Sequence, residues 1–287
     1  MYFASIFQEL DGAYTPSTLH AYRKDIRRIG DWLKSQGHDV DNLTHQALVN
    51  YLENGCHNLK MATIRRSLAA LSTILRYAEI DDPTKHPKVR LAIRRLARQR
   101  GSYQAQARPL TREYLDQLLD LCDPKTNIGL RNQILLMLGY ETMRRRSELV
   151  AFCFDDLRTS ASGALGLFLR TSKTDQLGHG KVLPISENLY ELIEKWLSVA
   201  GEGRILRSIK PGGHLAESLT PESVNRILKQ LEKRLGNKQQ LSGHSFRVGR
   251  TIDMIEEGRT LSQVALRGGW VSEKTVFRYA QSWGAAT

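Results

Sequence analysis

The chain has 287 residues, 41% of them hydrophobic and 25% charged, which suits one large domain or two ordinary ones with real cores. Lys plus Arg is 42 against 30 Asp plus Glu, a formal charge of +12 that points to a polyanionic partner, nucleic acid above all. Cys56, Cys122 and Cys153 lie far apart with no CxxC, which argues against a disulfide scaffold or structural zinc and fits a reducing cytoplasm. The N-terminus lacks a basic segment followed by an apolar core, and the longest apolar run, Ile134 to Leu138, is too short for a bilayer. A soluble intracellular protein with no membrane partner is expected.

Residues 1–105 read as a helical bundle. Ser17 or Thr18 is a candidate cap for a helix carrying Leu19, Tyr22, Ile26, Ile29, Trp32 and Leu33 at helical period, ended by Gly37. Its other face holds Arg23, Lys24, Arg27 and Arg28. A second helix is predicted over about 44–53 and a third over about 61–78, with Ile64, Leu68, Leu71, Ile74 and Leu75 inward. Lys60, Arg65 and Arg66 stand near the start of the third. After the break at Asp81-Asp82-Pro83, a last helix over about 86–100 carries Lys88, Arg90, Arg94, Arg95, Arg98 and Arg100 with no acidic residue among them. Arg65, Arg66, Arg94, Arg95 and Arg98 are candidate phosphate contacts.

Gly101 to Pro109 is polar, lacks a helical stripe and reads as the linker to a second domain, 106–287. Thr111 is expected to cap a helix with Leu115, Leu118 and Leu119 inward. Ile128 to Tyr140 is nearly all apolar and predicts a central buried helix. It leads into Arg144-Arg145-Arg146, which cannot all point inward unpaired; Glu148, three residues beyond Arg145, is placed to hold it. Gly163 to Ile185 alternates like a β-hairpin turned by Gly178 and Gly180, with Lys173 where the first strand meets the turn. Helices follow at 189–197 and from Thr220 or Pro221 to about 235. The second of these offers Glu222, Asn225, Arg226 and Lys229, side chains suited to base edges or phosphates in a major groove. Further helices follow Arg247, span Leu261 to Leu266, and begin at Ser272. The fold class is therefore mainly α with a small β-hairpin, in two domains.

The chemistry concentrates in Leu241 to Tyr279. His244 and Arg247 are three apart, Trp270 follows two glycines, and Tyr279 comes nine residues later. With Arg145 and Lys173 they form an ordered set, although each alone is a weak signal. Two guanidiniums neutralise non-bridging phosphate oxygens, His and Trp N–H groups add donors, and the Tyr hydroxyl attacks in line. A Lys protonates the leaving alkoxide. The nearby acidic residues are spaced to pair with arginines, so neither a metal nor another cofactor is expected. The predicted intermediate is a protein–DNA phosphotyrosine, which conserves the energy of the broken bond and needs no ATP.

These residues resemble the tyrosine recombinase (phage integrase) family, and its Cre-like members in particular, over nearly the whole chain. The resemblance rests on Arg145-Arg146-Ser147-Glu148-Leu149 after Gly139-Tyr140-Glu141-Thr142, on Thr171-Ser172-Lys173-Thr174, on Ser242 to Arg247, and on Gly268-Gly269-Trp270 with Tyr279. It implies that Arg145 is the first catalytic arginine and Glu148 its supporting partner. It implies an N-terminal core-binding bundle of SAM-like type and a C-terminal catalytic domain that close on double-stranded DNA as a clamp. It also implies inverted-repeat sites, a tetramer, a Holliday junction, and a bacterial or phage origin. Only Ala280 to Thr287 follow Tyr279, so a further docking helix is expected to be short or absent and assembly to rest on the bundle or the tyrosine helix. The alternatives are a type IB topoisomerase or telomere resolvase, and a catalytically silent DNA-binding protein.

Overall fold

The computed structural model describes residues 3–40, 43–101, 106–172, 179–237 and 241–282. The chain forms two compact units, Met1–Gln104 and Ala105–Thr287. Mainly helical character and one small sheet, as expected, hold throughout.

The first unit contains α1 (Ala4–Glu9), α2 (Pro16–Ser35), α3 (His45–Asn50), α4 (Met61–Tyr77) and α5 (Pro87–Arg100). Thr15, not Ser17 or Thr18, caps α2: its hydroxyl accepts from the Thr18 N–H, and Pro16 fills the first helical position. Leu19, Ile26, Ile29 and Leu33 of α2 pack with Ile64, Leu68, Leu71, Ile74 and Leu75 of α4 in one core. Each such side chain contributes about 1.5–3 kcal/mol by leaving water. The predicted second helix ends early as α3 and continues as one wide turn, Tyr51–Gly55. A Cβ on Gly55 would lie 2.6 Å from the Tyr51 ring, so the close approach there requires glycine.

A carboxylate sits inside this core. Asp25 is fully buried and accepts from Arg28 Nη2 at 2.7 Å and from Arg66 Nε and Nη2 at 2.8 and 2.9 Å. Burial pushes its pKa up, but Arg66 and Arg28 together hold it below the usual carboxylate range. Arg66 thus pairs with Asp25 while its side chain remains half exposed. On α5, Val89, Ala92 and Leu96 face inward, and Lys88, Arg90, Arg94, Arg95 and Arg98 are exposed. Arg100 donates to the carbonyls of Cys56 and Leu59, tying down the end of the helix.

The second unit contains α6 (Arg112–Asp120), α7 (Asn127–Thr142), α8 (Arg146–Leu149), β1 (Leu157–Thr159), β2 (Leu165–Leu169), β3 (Lys181–Pro184), α9 (Glu187–Ala200), α10 (Pro221–Arg234), α11 (Ser245–Glu256), α12 (Leu261–Gly268) and α13 (Glu273–Ser282). The strands form one antiparallel sheet in the order β1-β2-β3, with Leu157 opposite Leu167 and Leu167 opposite Leu183. The sequence pattern missed β1, a three-residue edge strand with too few positions to show alternation.

Helix α7 is buried on almost every side, as its composition predicts. It crosses α11 at Gly139, where a Cβ would come within 2.7 Å of the Phe246 ring. Thr111 stands at the start of α6 without a side-chain cap; the Arg112 N–H instead donates to Asp253 Oδ2 of α11 at 2.8 Å. Tyr140 donates to the same oxygen at 2.5 Å. These contacts fix α11 against α6 and α7, and α11 carries Arg247.

Candidate active site

Four segments deliver the site: the end of α7, the start of β3, the turn before α11, and α12–α13. At the first, Met143 takes a left-handed conformation with φ 54°. A non-glycine residue there costs of the order of 1 kcal/mol, and Met143 is held by complete burial against Met254, Val264 and Val276. Its carbonyl accepts from Arg247 Nη1. The three arginines that follow diverge. Arg144 turns inward, 1% exposed, and donates to the carbonyls of Thr142 at 2.8 Å and Arg267 at 2.5 Å. Arg145 starts α8, and its Nη1 and backbone N–H donate to the two carboxylate oxygens of Glu148 at 2.9 and 3.0 Å. Arg146 is exposed.

The Ser242–His244 turn is knotted by its own hydrogen bonds. Ser242 N–H donates to Ser245 Oγ at 3.0 Å, and Ser245 N–H to the Ser242 carbonyl at 2.8 Å. His244 stands at the N-cap of α11 and Arg247 one turn inside it. On the other side, Ser272 Oγ accepts from Lys274 N–H at the start of α13, which presents Tyr279.

His244 Nε2 and Tyr279 Oη are 2.9 Å apart. The Tyr279 ring lies 5.5 Å from the His244 ring and 5.6 Å from the Trp270 ring, and is 9% exposed. Arg247 Cζ lies 4.3 Å from the Trp270 ring centroid. Arg145, His244, Arg247, Trp270 and Tyr279 therefore cluster together, with Glu148 bonded to Arg145. Lys173 lies outside the described residues, as does Gly178.

The electrostatics favour an anion. Burial and the neighbouring Arg145 and Arg144 press the Arg247 pKa down to about 10, which still leaves it charged at neutral pH. Loss of water, then Arg247 and Arg145, hold His244 below the usual imidazole range, although the residue's outer side is exposed. Tyr279 is raised by burial and pulled back by Arg247, Arg278 and Arg145.

Sequence reasoning missed three cations. Arg144 is buried, with a pKa lowered to about 10 by burial. Arg267 donates to the carbonyls of Glu141 at 2.9 Å and Pro184 at 2.8 Å. Lys181 Nζ donates to the Leu266 carbonyl at 3.3 Å, and its pKa is lowered by burial and by Arg144. Carbonyls satisfy hydrogen bonds without cancelling charge, so the cluster retains a net positive field. Among the described residues no group of three His, Cys, Asp or Glu side chains is placed to hold a metal. Among them, too, no helix is long and apolar enough to cross a membrane.

The candidate DNA contacts divide. Arg65, Arg94, Arg95 and Arg98 are exposed in the first unit. On α10, Glu222, Arg226 and Lys229 are exposed. Glu222 lies 3.6 Å from Arg146, and Arg226 donates to Ser223 Oγ at 2.9 Å. Asn225 is only half-buried, and its Oδ1 accepts from the Gly243 N–H at 2.8 Å.

Residues 108–284 match the phage integrase family, and residues 6–80 match the SAM-like domain at the N-terminus of phage integrases. The chain belongs to the phage integrase family of tyrosine recombinases. This integrase-family chain is 30% identical over 289 residues to an integrase/recombinase XerD homolog of Selenomonas ruminantium, covering 96% of the chain and 84% of the relative. It is 24% identical to the Cre recombinase of Escherichia phage P1, covering 89% and 79%. Its fold is shared by the XerH site-specific recombinase solved in a post-cleavage complex with palindromic difH substrate, with a TM-score of 0.68, 14% identity and coverage of 93% and 79%. It is also shared by a lambda integrase solved as a tetramer on a Holliday junction, with a TM-score of 0.67, 16% identity and coverage of 96% and 76%.

Proposed function

We propose that this recombinase breaks and rejoins double-stranded DNA at specific sites through a 3′-phosphotyrosine at Tyr279, in the pocket formed with Arg145, His244, Arg247 and Trp270. The observation that carries the reading is the 2.9 Å contact between Tyr279 Oη and His244 Nε2 beside two guanidiniums.

Arg247 and Arg145 bind the non-bridging oxygens of the scissile phosphate, and the Trp270 N–H adds a donor. Preorganised donors of this kind each contribute about 3–4 kcal/mol as charge grows in the transition state. Neutral His244 takes the phenol proton. The Tyr279 oxygen forms a bond to phosphorus while the bond from phosphorus to the 5′ oxygen breaks. That oxygen leaves as a hydroxyl, protonated by Lys173, the residue assigned this role from sequence. A 5′ hydroxyl from another strand reverses the steps and releases Tyr279, so the bond energy is kept and no ATP is used. Glu148 holds Arg145 in place.

The reading extends to inverted-repeat sites, to a tetramer passing through a Holliday junction, and to action on DNA in the cytoplasm. Leu266 at 76% and Val271 at 89% exposure leave apolar surface open on and beside α12, and we place a subunit contact there.

A nicked suicide duplex tests the chemistry. The expected result is a denaturation-resistant protein–DNA adduct that is absent in Tyr279→Phe. Retarded DNA without an adduct from the unaltered protein would instead make this a silent DNA-binding protein.

A further inference from the structure

Helix α10 carries two kinds of contact on adjoining edges. Val224, Ile227, Leu228 and Leu231 are buried in the core of the second unit, while Arg226, Lys229 and Gln230 face solvent. Asn225 lies between these edges. Its side-chain carbonyl accepts the N–H of Gly243, the residue immediately before His244. The turn has little room to move: a Cβ on Gly243 would lie 3.0 Å from Arg146 Cβ and 3.7 Å from Asn225 Oδ1. Gly243 is therefore wedged between α8 and α10, and Asn225 supplies the side-chain acceptor that fixes its peptide plane.

That plane is the Ser242–Gly243 peptide, one link before the peptide that carries His244, whose own N–H donates to Ser242 Oγ at 3.3 Å. His244 is the next residue, and the His244 carbonyl accepts from the N–H groups of Arg247 and Val248 as the first turn of α11. A shift of the Ser242–Gly243 peptide is carried through Gly243 to the His244 side chain, which meets Tyr279 on a separate helix. The 2.9 Å contact between them leaves little tolerance.

We propose that Asn225 is a positioning residue for His244, holding the Gly243 peptide so that the imidazole meets the Tyr279 hydroxyl. The role rests on the reading of His244 as proton acceptor, and it moves Asn225 from base reading to alignment of the site.

The test is single-turnover adduct formation on the nicked suicide duplex, with protein saturating, for Asn225→Ala, Asn225→Asp, His244→Ala and the Asn225→Ala/His244→Ala double variant. DNA affinity is measured separately by equilibrium retardation. A displacement of about 1 Å at a reacting group costs up to about a hundredfold in rate. Asn225→Ala is expected to form adduct at least about tenfold more slowly at saturation, with affinity within about threefold of the parent. Asn225→Asp keeps the acceptor and is expected to recover most of the lost rate, even if its charge weakens binding. The double variant is expected to be no slower than His244→Ala, because both losses pass through one group.

Three results would overturn the proposal. One is a loss confined to affinity, which returns Asn225 to DNA contact. The second is multiplicative losses in the double variant. The third is Asn225→Asp failing to recover rate, and this arm decides the matter if Asn225→Ala does not fold. Absence of adduct from the parent protein would count against the recombinase reading itself, and so is distinguishable.

Discussion

Arg247 lies over the face of Trp270, with its Cζ 4.3 Å from the ring centroid. The indole thus supports the buried guanidinium, which also donates to the Met143 carbonyl. A cation over an indole face is worth about 0.5–2 kcal/mol. Trp270→Phe keeps a π face and loses the N–H donor, whereas Trp270→Ala loses both. Adduct formation is expected to slow in the order Trp270→Phe, then Trp270→Ala, with roughly tenfold between them. Equal rates for the two would show that the N–H alone matters.

The His244 environment sets a pH limb. In the proposed mechanism only neutral His244 accepts the phenol proton, so the rate is expected to fall as pH drops through its pKa. That pKa lies below the ordinary value of about 6.5, pushed there by loss of water and by Arg247 and Arg145. With DNA limiting, adduct formation is expected to be flat near neutrality and to fall only on the acid side of about 6.5. His244→Gln should be slow and lack this limb. A wild-type limb centred well above the ordinary imidazole value would contradict the assignment.

Three adjacent arginines should behave differently. Arg145→Lys keeps a charge beside buried Glu148 but loses the planar fork, and is expected to reduce adduct formation by about a hundredfold with little change in melting temperature. Arg144→Met leaves the carbonyls of Thr142 and Arg267 without this donor and should destabilise by about 2 kcal/mol. Arg146→Ala removes a contact of 3.6 Å between exposed side chains and should cost under about 1 kcal/mol. Paired melting curves and adduct assays separate the three.

Asp25 gives an acid-side signature. Its folded pKa is depressed, so its stabilisation is present above the unfolded value of about 3.9 and is lost as pH falls through the lower folded value. Asp25→Asn should cost about 1–3 kcal/mol at neutral pH and remove that acid-side loss. Arg66→Ala should likewise lower the melting temperature. By contrast, Arg94→Ala and Arg98→Ala should each reduce the slope of log affinity against log salt by about 1 and leave melting unchanged. The opposite pattern for Arg66 would show it acting mainly as a phosphate contact.

Much of the site was legible because its members combine unusual chemistry with fixed spacing: His244 with Arg247, Trp270 with Tyr279, Arg145 with Glu148. The helices were legible because their apolar stripes keep one period, as in α2 and α4. What was hidden has a common cause. A buried arginine that bonds to peptide oxygens, such as Arg144 or Arg267, looks in sequence like surface charge, since its partners carry no side-chain signature. The bond from the Gly243 N–H to Asn225 was hidden too, because helical position does not tell which neighbour an amide meets. The Asp25 cluster was hidden because Arg66, one of its two partners, comes from another helix 41 residues on.

The left-handed corner at Met143 aims main-chain oxygens at two guanidiniums, since Arg144 bonds to Thr142 and Arg247 to Met143. Every amino acid at these positions brings the same oxygen. The hydrogen-bond partners of the cations therefore do not depend on side-chain identity at 142 and 143, although burial of Met143 still holds the corner. The vulnerability lies in chain length: inserting or deleting one residue between 142 and 145 would put the oxygens out of register with both arginines at once.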